Sequence, residues 1–142
     1  MNPEIVTLVR QSWASVLPAA PQAATLFFRH LFARNPSLRV LCAGGLTDDE
    51  RLFVGALDAV VARLDELDQL IPLLQHMGSQ QAAWGVRDEH YRSVGDALLA
   101  TLGEQLGDSF TGAVREAWSV TIDLIATVMI DAGPARDPDA IF

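Results

Sequence analysis

The chain has 142 residues, half of them hydrophobic, which suits one compact domain around a single core. Its net charge is −8 and every cation is an arginine, a balance that argues against nucleic acid and anionic membranes as partners, since both need clustered cations. The single cysteine, Cys42, rules out an internal disulfide and a zinc cluster.

The opening MNPEIVTLVRQ has no basic patch ahead of an apolar core, so no signal peptide is expected and a cytoplasmic location is the default. No apolar run reaches the roughly 18–20 residues that a membrane span requires. Asn2-Pro3-Glu4 reads as a helix start: a capping side chain, a proline at the first helical position and an acid facing the dipole. Ile5, Leu8, Val9, Ser12, Trp13 and Val16 follow at helical spacing. Pro18 and Pro21 bound a short connection to a second helix, Gln22 to Arg34, which carries Leu26, Phe27, Phe28, Leu31 and Phe32. Asn35-Pro36 repeats the cap-then-proline signal and begins a short third helix ending near Leu41-Cys42. Ala43-Gly44-Gly45 is a corner.

Thr47-Asp48-Asp49-Glu50 has the spacing of a capping box. The helix it opens aligns Phe53, Leu57, Val60, Leu64 and Leu67 on one stripe. In the next helix Leu70, Leu74, Met77, Gln81 and Trp84 share a face, with Pro72 expected in its first turn because an interior proline costs about 3 kcal/mol. Gln81 is the odd member, since a buried carboxamide without a partner costs roughly 1–3 kcal/mol. Gly85 permits a change of direction. Asp88 is a candidate cap for a helix through Tyr91, Val94, Leu98, Leu102 and Leu106, broken at Gly107-Asp108. Thr111 caps the last helix, whose inner face is Val114, Trp118, Ile122, Ile125 and Met129. Gly133-Pro134 stops it, leaving residues 1–133 as one domain and 134–142 as a tail. Period-two alternation is absent, so the fold class is all-α, with about seven helices.

Four segments give this pattern a family resemblance: LFFRHLFARNPSLRVL, LDELDQLIPLLQHMG, WGVRDEHYRSVGDALLATLGEQLGD and VREAW. Over about Ile5 to Asp131 the chain resembles a bacterial single-domain globin, the haem-domain type also found in flavohaemoglobins. The resemblance implies a three-over-three helical sandwich around haem b, binding oxygen or another diatomic ligand. The family's proximal pattern is a leucine–glycine pair, two residues, the iron-ligating histidine, two residues, then an aromatic, glycine and valine. This sequence reads Met77-Gly78-Ser79-Gln80-Gln81-Ala82-Ala83-Trp84-Gly85-Val86, which puts Gln81 at the ligand position, a poor iron ligand beside imidazole.

By the same resemblance the distal tyrosine, which hydrogen-bonds bound oxygen, falls on Phe28, and the phenylalanine that wedges against the porphyrin falls on Cys42. The distal glutamine falls near Asp49, and the adjoining apolar position on Phe53. Tyr91, which supports the proximal histidine in the family, is retained without its client.

Each candidate has a plainer reading beside the functional one. Gln81 is a pocket residue or a polar group hydrogen-bonded in a collapsed pocket, with Tyr91 a partner. Cys42 is a thiolate ligand or a small buried hydrophobe, and Met77 a thioether ligand or core. His76 lies five residues before Gln81, about 140° round the helix, so it is a substitute ligand only if the helix turns, and otherwise surface. His30 is expected to point away from the pocket and His90 to be exposed. Asp48, Asp49 and Glu50 read as helix-start acids. Nothing assembles a nucleophile, base and orienter, so hydrolytic catalysis has no support.

Two functions follow. The first is a globin scaffold that has lost canonical haem and oxygen binding and serves as a binding, sensor or interaction domain. Its old pocket is filled or lined by Phe28, Phe53 and Trp84, or takes an apolar ligand such as a fatty acid. The last two helices are candidates for a homodimer through Leu102, Leu106, Trp118 and Ile122, by analogy. The second is a haem globin with atypical ligation through Cys42, Met77, His76 or water, binding oxygen or nitric oxide. No enzyme activity is expected, because nitric oxide dioxygenase or peroxidase turnover needs bound haem and a separate reductase.

Overall fold

Residues 2–41, 46–83 and 87–132 are described by the computed structural model. Asn2 opens α1 (Pro3–Val16) as expected, its Oδ1 accepting from the Glu4 N–H at 2.8 Å. A 3-10 turn, Leu17–Ala19, leads into α2 (Ala20–Arg34), with Pro21 in its first turn. The short third helix is a 3-10 segment, Pro36–Leu41. α3 (Leu46–Ala62), α4 (Leu67–Ala83), α5 (Asp88–Leu106) and α6 (Gly112–Asp131) follow, with a 3-10 turn at Gly107–Ser109 between the last two. Thr111 caps α6, its hydroxyl accepting from the Val114 N–H at 3.3 Å. No strand occurs among the described residues, and no described helix is long and apolar enough to cross a membrane.

The helices pair as a three-over-three sandwich requires. α2 lies on α5 and α3, α4 lies on α6, and α1 reaches α6, α5 and α3. The core runs through all of them, with Val9, Phe27, Leu64, Leu70, Leu74, Leu102 and Trp118 almost wholly buried.

Several local expectations are corrected. α3 runs from Leu46 to Ala62, and the capping box expected at Thr47 rests on side chains outside the described residues. The Glu50 Oε2 accepts from the Thr25 hydroxyl at 2.8 Å, which ties α3 to α2. The stripe from Phe53 to Leu67 is split, because α3 stops at Ala62. Arg63 and Leu64 take tight bonds to the carbonyls of Val60 and Val61, at 3.0 and 3.4 Å, and Leu67 opens α4. Pro72 is an interior residue of α4, because the Glu66 carbonyl already accepts from Gln69 and Leu70 and starts the helix a turn early. Asp88 is the first residue of α5, not its cap; the cap position is Arg87. The tail, 134–142, lies outside the described residues.

One residue of α1 closes the end of α3. The Arg10 side chain donates to the carbonyls of Val61 and Ala62 at 3.2 and 2.8 Å and pairs with Asp65 at 2.9 Å. α3 has no basic residue in its last turn, so this cation from α1, with Arg63 on the Ala59 carbonyl at 3.0 Å, meets the negative end of the dipole. Deeper in, the Trp13 indole donates to Asp58 of α3 at 2.9 Å, and the Trp118 indole of α6 donates to Ser12 at 2.8 Å. The two indole rings meet edge to face at 6.4 Å.

α4 and α6 touch backbone to backbone. A Cβ on Gly78 would stand 2.3 Å from the Met129 carbonyl oxygen and 2.7 Å from its Cα. One residue on, the Ser79 hydroxyl donates to the Ala132 carbonyl at 2.9 Å. Gly78→Ala is therefore expected to destabilise by about 1–3 kcal/mol, despite alanine's better helix propensity, because the helices must part; urea unfolding measures this. The hydrogen bond from Arg10 holds the Asp65 carboxyl below its ordinary range. Because the folded value is the lower one, the stabilisation is complete above the unfolded value and fades as pH falls through the folded one. Acid titration followed by circular dichroism should separate the parent from Asp65→Asn near neutrality, and the two curves should converge in strong acid.

Candidate functional site

The distal wall comes from α2 and α3. Helical spacing on α2 turns both Phe27 and Phe28 inward, 2% and 6% exposed. Phe27 stacks on Phe53 of α3 with centroids 3.9 Å apart and planes 11° from parallel. Phe28 meets Phe27 edge-on at 5.1 Å and Phe53 at 6.0 Å. Phe32 continues the cluster at 5.8 Å from Phe28, with the Arg39 guanidinium over its outer face at 4.8 Å. This wall is hydrocarbon, and Phe28 offers no hydrogen bond to anything beside it.

The proximal wall is α4. Leu70 and Leu74 are fully buried, Met77 packs half-buried against the core, and Gly78 is buried on α6. Gln81 falls in the last turn of this helix, with its side chain outside the described residues. Cys42, Trp84 and Val86 also lie outside them, and Asp49 is placed only as a residue of α3. His76 is exposed. Turning it inward would rotate α4 by about 140°, which would lift Gly78 off Met129 and break the Ser79 bond to Ala132.

The other two histidines are engaged elsewhere. The His30 Nε2 lies 2.6 Å from Glu104 Oε1, joining α2 to α5, while its Nδ1 faces an Arg34 N–H at 3.3 Å. With Arg34 donating to Nδ1, the neutral ring donates from Nε2. His90 corrects the expectation of exposure, being 8% exposed. Its Nδ1 accepts from the Arg87 N–H at 2.8 Å, satisfying a backbone donor at the start of α5, and this capping role draws the ring in. Among the described residues, no group of three or more His, Cys, Asp or Glu is placed to hold a metal ion.

Tyr91 is half-buried and lines an open cleft of about 310 Å³ on the α5–α6 seam, beside Asp88, Gly95 and Ile122. Burial, and then the Asp88 carboxylate, push its phenol above the ordinary value. The pairing face expected on the last two helices is also corrected. Trp118 is fully buried because α6 turns it to Ser12 of α1, and Leu102 on α5 is 1% exposed in the core. Leu106 packs half-buried against the core, and Ile122 alone of the four lines the cleft.

Two residues that matter here escaped the sequence reading. Gly78 gives a usable signal, because glycine in a helix interior costs about 1 kcal/mol against alanine, so its presence marks a close approach. Arg10 gives none, because its acceptors are carbonyls of a distant helix.

The comparisons with known proteins agree with this architecture. Residues 10–129 match the family model described as Globin. Flavohemoproteins of Bordetella parapertussis and Vibrio cholerae are 30% and 27% identical to the chain over 134 residues, covering 92% of it. The chain spans about a third of the length of these curated relatives, 33% and 34% respectively. A crystal structure of a hexacoordinated heme protein from an anhydrobiotic tardigrade superposes with a TM-score of 0.84, covering 93% of this chain and 94% of that one at 16% identity, a likeness of fold. The helix pairing, the close α4–α6 crossing and the family match over residues 10–129 together make this chain a member of the globin family.

Proposed function

We propose that this globin domain does not hold haem through an imidazole and works, in the cytoplasm, as a binding, sensor or interaction domain. The observation that carries the reading is the setting of α4. Gly78 on Met129 and Ser79 on Ala132 fix the helix with His76 in solvent, while Gln81 takes the position of the family's iron ligand. His30 and His90 are spoken for by Glu104 and by the Arg87 N–H. The donor set therefore does not suit a histidine-ligated haem. The distal wall fits the same reading, since the Phe27–Phe53 stack and Phe28 exclude water and offer no hydrogen bond to a polar diatomic ligand.

What such a pocket recognises is an apolar guest, a fatty acid being the simplest chemistry that needs no donor inside. A second reading, haem held by the Met77 thioether or the Cys42 thiolate, is favoured only by the half-buried place of Met77 one turn before Gln81. Catalysis is not part of either reading. Nitric oxide dioxygenase or peroxidase turnover would need haem and a reductase.

Haemin titration of the full chain, expressed with supplied haem, tests this. The expected result is no stoichiometric Soret band from the parent, with a band appearing in Gln81→His. A stoichiometric band in the parent overturns the reading, and its loss in Met77→Leu or Cys42→Ala then names the ligand.

A further inference from the structure

Two open clefts lie along the α5–α6 seam. The first, of about 310 Å³, carries Asp88, Asp96 and Asp123 with a single guanidinium, Arg92. The second, of about 260 Å³, carries Arg34 and Arg115 with Asp96. The two clefts share Asp96 and Leu99 of α5, and α6 presents Arg115 in the second and Ser119 in the first, next to Val120, which is 40% exposed.

We propose that a second copy of this chain docks on this seam, α6 against α6 and antiparallel, with the two-fold axis at Ser119. The charge order on α6 is what selects a copy over another partner. Arg115 lies four residues before Ser119 and Asp123 four residues after it, each about 6 Å along the axis and on the same side of the helix. A two-fold axis through Ser119 therefore sets Arg115 beside the partner's Asp123, and does so twice. The same operation lays the cationic cleft over the anionic cleft of the second copy, so the surface is its own complement. Neither Arg115 nor Asp123 forms an ion pair among the described residues. Ser119 and Ala126, small and half-buried, let the two helices approach, while the exposed Val120 supplies apolar contact at the edge. The seam itself is firm beneath the contact, because a Cβ on Gly95 would stand only 3.0 Å from the Ile122 side chain.

Sedimentation velocity of the full chain over a concentration series is the test. A dimer is expected, loosened by salt. Asp123→Arg and Arg115→Asp should each weaken it at least about tenfold, since each sets like charges opposite one another. Mixing those two variants should give a heterodimer, and the double variant should dimerise like the parent. In a Cys42→Ser background, Ser119→Cys should give a disulfide-linked dimer on oxidation, because only residues near the axis come within bridging distance. Circular dichroism checks the fold of each variant, and Asp123→Asn, expected to weaken the dimer less, replaces any that fails. A chain that stays monomeric at every concentration, a dimer indifferent to single reversals, or variants that do not pair when mixed would overturn the proposal.

Discussion

Everything on the proximal side of this globin depends on one contact between backbones, that of Gly78 with Met129. A side chain at position 78 would stand between α4 and α6, so glycine sets both their spacing and the rotation of α4. Once that rotation is set, Leu70 and Leu74 must face the core and His76 must face water. The Ser79 bond to the Ala132 carbonyl fixes the slide along the helix as well.

The joint between α2 and α3 is aromatic, with Phe28 drawn into a cluster with Phe27, Phe53 and Phe32. Aromatic packing of this kind strengthens the joint between α2 and α3. The polar contacts have been kept where they hold helices together. Arg10, Ser12 and Trp13 on α1 reach α3 and α6, and His30 and Thr25 on α2 reach α5 and α3.

The architecture was legible because the chain marks its helix ends plainly. Asn2, Thr111 and Pro21 act as the sequence suggests, and the stripe of Val114, Trp118 and Met129 does face inward. Where α3 is concerned, side chains were met by partners on another helix. Glu50 bonds Thr25 of α2, and Arg10 helps to end α3 before its apolar stripe runs out. His90 is drawn in by the Arg87 N–H, so its polarity did not predict exposure. Of the pocket, Phe28 and Phe53 were readable as large aromatic substitutions, but their ring geometry depends on two helices crossing, which no stretch of sequence carries. Periodicity placed Trp118 and Ile122 on one face, yet could not tell which would meet α1 and which the seam.

The bond between Trp118 and Ser12 spans 106 residues and closes the chain's beginning onto its end. During synthesis, at roughly 5–20 residues per second, α1 leaves the ribosome many seconds before α6 exists. Through that interval the Ser12 hydroxyl lacks its indole donor and the Trp13 ring lacks its aromatic neighbour, since Trp118 has not yet been made. The loop that must close is nearly the whole domain, so its entropy is met late, when most other contacts are already possible. The globin domain is therefore complete only when α6 arrives to cover α1.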